Sequence, residues 1–174
     1  MPAWLSRSRL WIIGTVVVLL IGASVVVVAR SQAPPEQPIP FPHNTHIALG
    51  VQCLYCHPGA SRGRVAGLPT VGKCQGCHSN LTKQSDLLDE VSDFWANNET
   101  VAWAPVAIQP DFVYFTHRPH IAAGLNCENC HGDLSQMTVA EPFGNHNMGW
   151  CLNCHQDQGA EKWVKLSDCA TCHQ

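Results

Sequence analysis

The longest apolar run in the chain is LWIIGTVVVLLIGASVVVVA, residues 10–29, twenty residues without a charge. As a helix rising ~1.5 Å per residue it reaches about 30 Å, the thickness of a bilayer core. The pattern predicts one N-terminal transmembrane helix, with residues 1–30 as the anchor. Residues 31–42 follow, with five prolines between positions 34 and 42, the composition of a semi-rigid extended spacer. Helical periodicity then stands out at SDLLDEVSDFW, residues 85–95. There Leu87, Leu88, Val91, Phe94 and Trp95 recur at helical spacing, acids lie opposite, and Ser85 is placed to cap the N-terminus. Packing is the role such a face ordinarily has. Residues 101–115, VAWAPVAIQPDFVYF, are β-branched and aromatic but broken by prolines, so they read as extended chain crossing the molecule. Their apolar content suits either a cover over a cofactor edge or a docking strip for another subunit.

The flanks of the apolar run orient it. Arg7, Arg9 and the free amine precede it, while only Arg30 directly follows, a bias that keeps the N-terminus inside. Trp4 and Trp11 fit the inner interface. The expected location is therefore the cytoplasmic membrane, single-pass, with the remainder on the periplasmic or outer face. A cleaved signal peptide competes, since Ser31-Gln32-Ala33 offers small residues at suitable offsets. Against it, signal h-regions usually run only ~7–15 residues. All 13 acidic residues lie beyond Arg30, against seven basic ones there (Arg62, Arg64, Lys73, Lys83, Arg118, Lys162 and Lys165), so that part carries 7 minus 13, or −6. This balance excludes a nucleic-acid partner.

Ten cysteines invite a disulfide or zinc framework until their spacing is read. They fall as Cys53/Cys56, Cys74/Cys77, Cys127/Cys130, Cys151/Cys154 and Cys169/Cys172, and each pair is followed at once by a histidine: His57, His78, His131, His155 and His173. C-x-x-C-H is the attachment signal for c-type haem: two thiols add to the two porphyrin vinyl groups and the adjoining imidazole ligates the iron. With histidine at about 6% of residues, five such coincidences would arise by chance on the order of once in a million sequences. The cofactor expectation is five covalently attached haem c groups.

Five further histidines remain, His43, His46, His117, His120 and His146, one for each iron still lacking a sixth ligand. An iron held by imidazole on both faces has no open position for a substrate, so a closed set points to electron transfer and away from catalysis at iron. His146 has a competitor in Met148, two residues on, since a thioether would raise the potential of the haem it ligated. Met137 is a weaker candidate, more readily explained by packing.

The histidines and cysteines repeat. FPHNTHIALGVQCLYCH, from Phe41, returns as FTHRPHIAAGLNCENCH from Phe115, offset by 74 positions. A second attachment site follows 21 residues after Cys53 and 24 after Cys127, and the second half adds a third at Cys169. The haem-bearing part, residues 43–174, thus divides into a two-haem module (41–100) and a three-haem module (115–174). The expected fold class is a mostly irregular and α-helical multihaem cytochrome c with little regular secondary structure, its haems forming the core.

F-x-H-x-x-H followed by glycine and C-x-x-C-H resembles the class III multihaem cytochromes, and the resemblance covers both halves. It implies His117 on the Cys127/Cys130 haem, His120 on the Cys151/Cys154 haem, and His146 on the Cys169/Cys172 haem. In the first half it implies His43 on the Cys53/Cys56 haem and His46 on the Cys74/Cys77 haem. That half departs from the pattern in lacking a third haem and a third spare histidine. With the anchor, five haems and PDFVYFTHRPH, the chain is also similar to the pentahaem cytochrome c subunits of alternative complex III, a quinol-oxidising membrane complex. That likeness implies as partners an iron-sulfur subunit, quinol-binding membrane subunits and a monohaem cytochrome.

The expected function is a membrane-anchored electron wire, passing electrons from a quinol-oxidising complex toward a periplasmic acceptor or terminal oxidase, without being an enzyme alone. Its rivals are a stand-alone membrane quinol dehydrogenase and a multihaem reductase with one open haem. No attachment motif here ends in the lysine that some such reductases use.

Overall fold

The computed structural model of the chain describes residues 3–31, 33–81 and 85–173. Gln32 of the peptidase-like triplet lies outside them, as does Lys83 of the basic residues counted above, and the side chains of Trp4 and Arg7 are likewise not described. The chain forms two compact units, Met1–Pro34 and Pro35–Gln174.

The first unit is one helix, α1 (Ala3–Ser31), within which Arg9–Arg30 is long and apolar enough to cross a membrane. By length and composition it fits a membrane anchor or a signal sequence. Its hydroxyl groups are satisfied internally: Thr15 donates to the Trp11 carbonyl at 2.9 Å and Ser24 to that of Leu20 at 2.8 Å. No hydroxyl there needs water.

The second unit is built from short helices: α2 (His43–Ala48), α3 (Cys53–Cys56), α4 (Val71–His78), α5 (Asp86–Ala96), α6 (His117–Ala122), α7 (Glu128–His131), α8 (Met148–Gln156), α9 (Ala160–Leu166) and α10 (Cys169–Cys172). Two 3-10 turns, Pro58–Ser61 and Leu134–Gln136, follow α3 and α7. Among the described residues there is no strand, only a single antiparallel bridge between Val113 and His173. The fold class is mostly helical and irregular, as the sparse periodicity predicts.

The repeat is visible in the backbone. α2 and α6 occupy equivalent positions, and Gly50 (φ 80°) and Gly124 (φ 83°) follow them in the left-handed region that favours glycine. The next amides turn back the same way, Val51 N–H to the His46 carbonyl at 3.0 Å and Leu125 N–H to that of His120 at 3.2 Å. Each motif pair lies on a helical turn, which sets two thiols three residues apart on one face.

α5 forms where the period placed it, with Ser85 at its N-cap but without a side-chain cap bond. Val91 is buried, Leu87, Leu88 and Phe94 are half-buried, and Trp95 is 58% exposed. Val91 joins Val71 of α4 and Ile39 in a small core flanked by Cys74, Phe94, Val101 and Trp103. Residues 101–115 run as extended chain, Trp103 donating to the Pro69 carbonyl at 3.3 Å. The proline-rich segment meets this chain: Gln37 bonds both ways to Ala104, at 2.8 and 3.1 Å, and Ile39 is buried. The spacer is thus packed over its second half. Among the described residues only Ile39, Ala60, Val71 and Val91 are buried hydrophobics, far too few for a protein core to organise some 140 residues by itself.

Candidate haem-binding sites

Each copy of the repeat positions its two histidines identically. Phe41 meets His43 edge-on (4.8 Å, 82°) and stacks on His46 (4.2 Å), while Phe115 meets His117 edge-on (4.8 Å, 85°) and leans on His120 (4.9 Å). His46 and His120 both turn Nδ1 back onto the carbonyl four residues earlier, Pro42 at 2.9 Å and Thr116 at 2.8 Å. A carbonyl only accepts, so Nδ1 carries the proton and Nε2 keeps its lone pair, the tautomer a metal requires.

The same lock recurs around the chain. Nδ1 of His57 donates to Gly67 O (2.6 Å), of His117 to Arg64 O (2.6 Å), of His155 to Leu166 O (3.0 Å) and of His173 to Phe112 O (3.3 Å). His43 and His78 have a buried Nδ1 without such a partner. Sequence reading cannot find these carbonyls, because every residue type supplies one.

Three spare histidines face motif histidines across the fold. The ring centres of His46 and His78 are 6.0 Å apart, those of His117 and His131 6.3 Å, and those of His120 and His155 6.1 Å. Two imidazoles on opposite sides of one metal have centres about 6.2 Å apart, twice a metal–nitrogen bond of ~2.0 Å plus roughly 1.1 Å from nitrogen to ring centre. The residues present therefore fit the cofactor. His43 and His57 are also neighbours: burial first, then the charges of His57 and His46, lowers the pKa of His43. Burial likewise leads the lowering at His78 and at His131, the latter also feeling His117, His146 and His57.

His146 differs from the others. Its Nε2, not Nδ1, meets a carbonyl, that of Cys130 at 2.8 Å, and its ring stands edge-on to His131 (6.3 Å) and Trp150 (4.8 Å). His173 instead lies over Phe112, with ring centres 5.9 Å apart. Met148 opens α8 and is 62% exposed.

All ten thiols are free in the fold. Burial raises the pKa of Cys56, Cys74, Cys127, Cys130 and Cys151, and neighbouring thiols from other motifs add to the rise. Cysteines of different motifs therefore lie close together.

Residues 113–174 match the family described as cytochrome c7 and related cytochrome c. Along most of its length the chain is similar to the menaquinone reductase multiheme cytochrome c subunit of Nitratidesulfovibrio vulgaris: 29% identical over 162 residues, 80% of this chain and 77% of the relative. The compact unit has the fold of a multihaem cytochrome c. Its prosthetic groups are covalently bound c-type haems, and the similarity to a subunit of a larger assembly links it to quinone-coupled electron transfer in company with other subunits.

Proposed function

We propose that this multihaem cytochrome c carries five haems, one on each C-x-x-C-H motif, and serves as a membrane-anchored electron wire within a quinol oxidoreductase complex. The observation that carries the reading is the spacing of His46/His78, His117/His131 and His120/His155, each pair set as two imidazoles sharing one metal would be. His43 completes the set with His57, and His146 is the sixth ligand to the iron on His173, with Met148 as its alternative. Bound in this way, haem iron supplies one-electron transfer without an open coordination position. The chain's own residues fix the imidazole tautomers through backbone carbonyls, hold the thiols on helical turns and tether the unit to the membrane through α1. Turnover of quinol is left to partner subunits, and alternative complex III is the assembly we assign.

A pyridine haemochrome assay on the purified full chain should count five haems, and carbon monoxide added to the reduced protein should shift none of them. A stoichiometric shift at any haem would mean an open iron and would return the reductase reading. Purified alone, the chain should not oxidise a quinol analogue; unaided turnover would make it a stand-alone quinol dehydrogenase.

One observation favours a second direction of flow. The relative from N. vulgaris is named for a menaquinone reductase, so the same wire can run inward, from a periplasmic donor to quinone. Reduction of the haems by a quinol analogue in the intact complex supports outflow, and their oxidation by a quinone analogue supports inflow.

A further inference from the structure

We propose that the five attachment motifs form one unbranched row in the order Cys74/Cys77, Cys53/Cys56, Cys127/Cys130, Cys151/Cys154, Cys169/Cys172, with the first two exchanged relative to the chain. The row rests on the haem reading above, and it gives the wire its ends.

The reason lies in how the two copies of the repeat meet. α2 of the first copy packs on the 3-10 turn Leu134–Gln136 of the second, and α6 of the second packs on the turn Pro58–Ser61 of the first. The hydrogen bonds repeat this exchange. Asn44 N–H donates to the Met137 carbonyl at 3.0 Å, and His117 N–H donates to that of Gly63 at 3.1 Å. Positions 63 and 137 are equivalent at the repeat offset of 74. Each copy thus offers the other the same surface, the self-complementary arrangement of a two-fold dimer contained within one chain.

Such an arrangement brings equivalent residues together at its centre and carries the rest outward. Cys53 and Cys127, equivalent at the same offset, line one cleft with Ile47, Asn126, Glu128 and Leu134. Their two thiols also interact directly. The second motif of each copy then lies on the far side of the first. In the first half, Lys73 Nζ sits 4.4 Å above the ring of Tyr55, joining the residue before Cys74 to the residue before Cys56. In the second half, His146 bridges the Cys130 carbonyl and Trp150, the residue before Cys151.

The last motif extends the second half only. α9 packs on α8, the Leu166 carbonyl holds His155, and Thr171 donates to the Lys165 carbonyl at 2.9 Å, which sets α10 beyond α8. The thiol neighbours follow the same row: Cys56 with Cys74 and Cys77, Cys53 with Cys127, Cys130 with Cys151 and Cys154, and Cys151 with Cys172. Among the described residues these thiol pairs never skip a motif in the proposed order, and a row in chain order would require Cys74/Cys77 to neighbour Cys127/Cys130. Partner redox centres should therefore dock near Cys74/Cys77 and near Cys169/Cys172, while the Cys53/Cys56 site is interior.

Diffraction from the full-length haem-loaded protein at the iron absorption edge tests this directly, since it places each iron beside its cysteines. The expected result is five irons, with the one at Cys53/Cys56 between those at Cys74/Cys77 and Cys127/Cys130, and the longest separation between Cys74/Cys77 and Cys169/Cys172. Five irons with the Cys74/Cys77 site nearer to Cys127/Cys130 than the Cys53/Cys56 site is would overturn the order alone. Fewer than five irons would overturn the haem reading, and the row with it.

Discussion

The rings of His117 and His131 face each other 6.3 Å apart with planes only 15° from parallel, although the two residues belong to different helices, α6 and α7. His117 reaches this position because its Nδ1 is anchored on Arg64 O, in the other copy of the repeat. Removing the imidazole leaves the proximal ligand in place and opens the opposite side. His117→Ala is expected to turn one haem high-spin, about one fifth of the total absorbance, and to create one carbon monoxide-reactive site. Optical and electron paramagnetic resonance spectra of the variant read this out; a fully low-spin variant would remove His117 from the ligand set.

The cysteine-histidine motifs, the repeat and the one strongly periodic helix were legible because each is written in residue types with few alternative explanations. The apolar run was equally legible as a helix, though not as anchor against signal, since both need the same composition. The pairing of His46 with His78 came only from resemblance, because nothing between positions 46 and 78 encodes which irons they share. The anchoring of Ile39 and Gln37 was hidden by five prolines that suggest a free spacer. The reciprocal packing of the two copies was out of reach altogether, as it depends on backbone carbonyls that any residue supplies.

Gly59 carries a second prediction. It follows His57 and Pro58, its N–H donates to the Ala66 carbonyl at 3.0 Å, and a Cβ placed on it would press on the carbonyls of Val65 and Ala66, the latter at 2.8 Å. Those atoms are backbone and cannot rotate away. They belong to the loop whose next residue, Gly67, holds Nδ1 of His57. Gly59→Ala should cost ~1–3 kcal/mol by overpacking, measured by denaturation of the haem-loaded protein. An unchanged midpoint would mean that the loop yields freely.

Burial lowers the pKa of His43, His78 and His131 from the ordinary 6.5. The folded chain then keeps these rings neutral at pH values where the unfolded chain has already bound protons. Their contribution to stability is complete above about 6.5 and declines as pH falls from there toward the depressed folded values. Denaturation followed in the Soret band should give a lower midpoint at about pH 5 than at about pH 8. Equal midpoints would show these histidines to be exposed to protons in the fold.

Replacing residues 1–30 with a cleavable signal should release the haem-loaded remainder into the soluble fraction, because α1 holds the long apolar surface of its unit. Haem absorbance in the supernatant after ultracentrifugation measures it. A product that still sediments is held to the membrane by partner subunits.

His146 is where the resemblance and the fold pull in different directions. The resemblance puts it on the iron of His173, yet its Nε2 is engaged with the Cys130 carbonyl and its ring lies against His131 and Trp150. To ligate that iron it must release a hydrogen bond worth about 1 kcal/mol, a small loss beside a metal–ligand bond. Met148 sits two residues away at the exposed start of α8 and could reach the same iron without breaking such a contact. The two ligands leave different signatures, since a thioether raises the potential of its haem relative to a second imidazole. His146→Ala is expected to convert one haem to the high-spin form, and Met148→Leu to leave all five low-spin with unchanged midpoints. The reverse pair of outcomes, with one high-potential haem lost in Met148→Leu, would transfer the sixth ligand to Met148 and leave His146 as the clasp between α7 and α8.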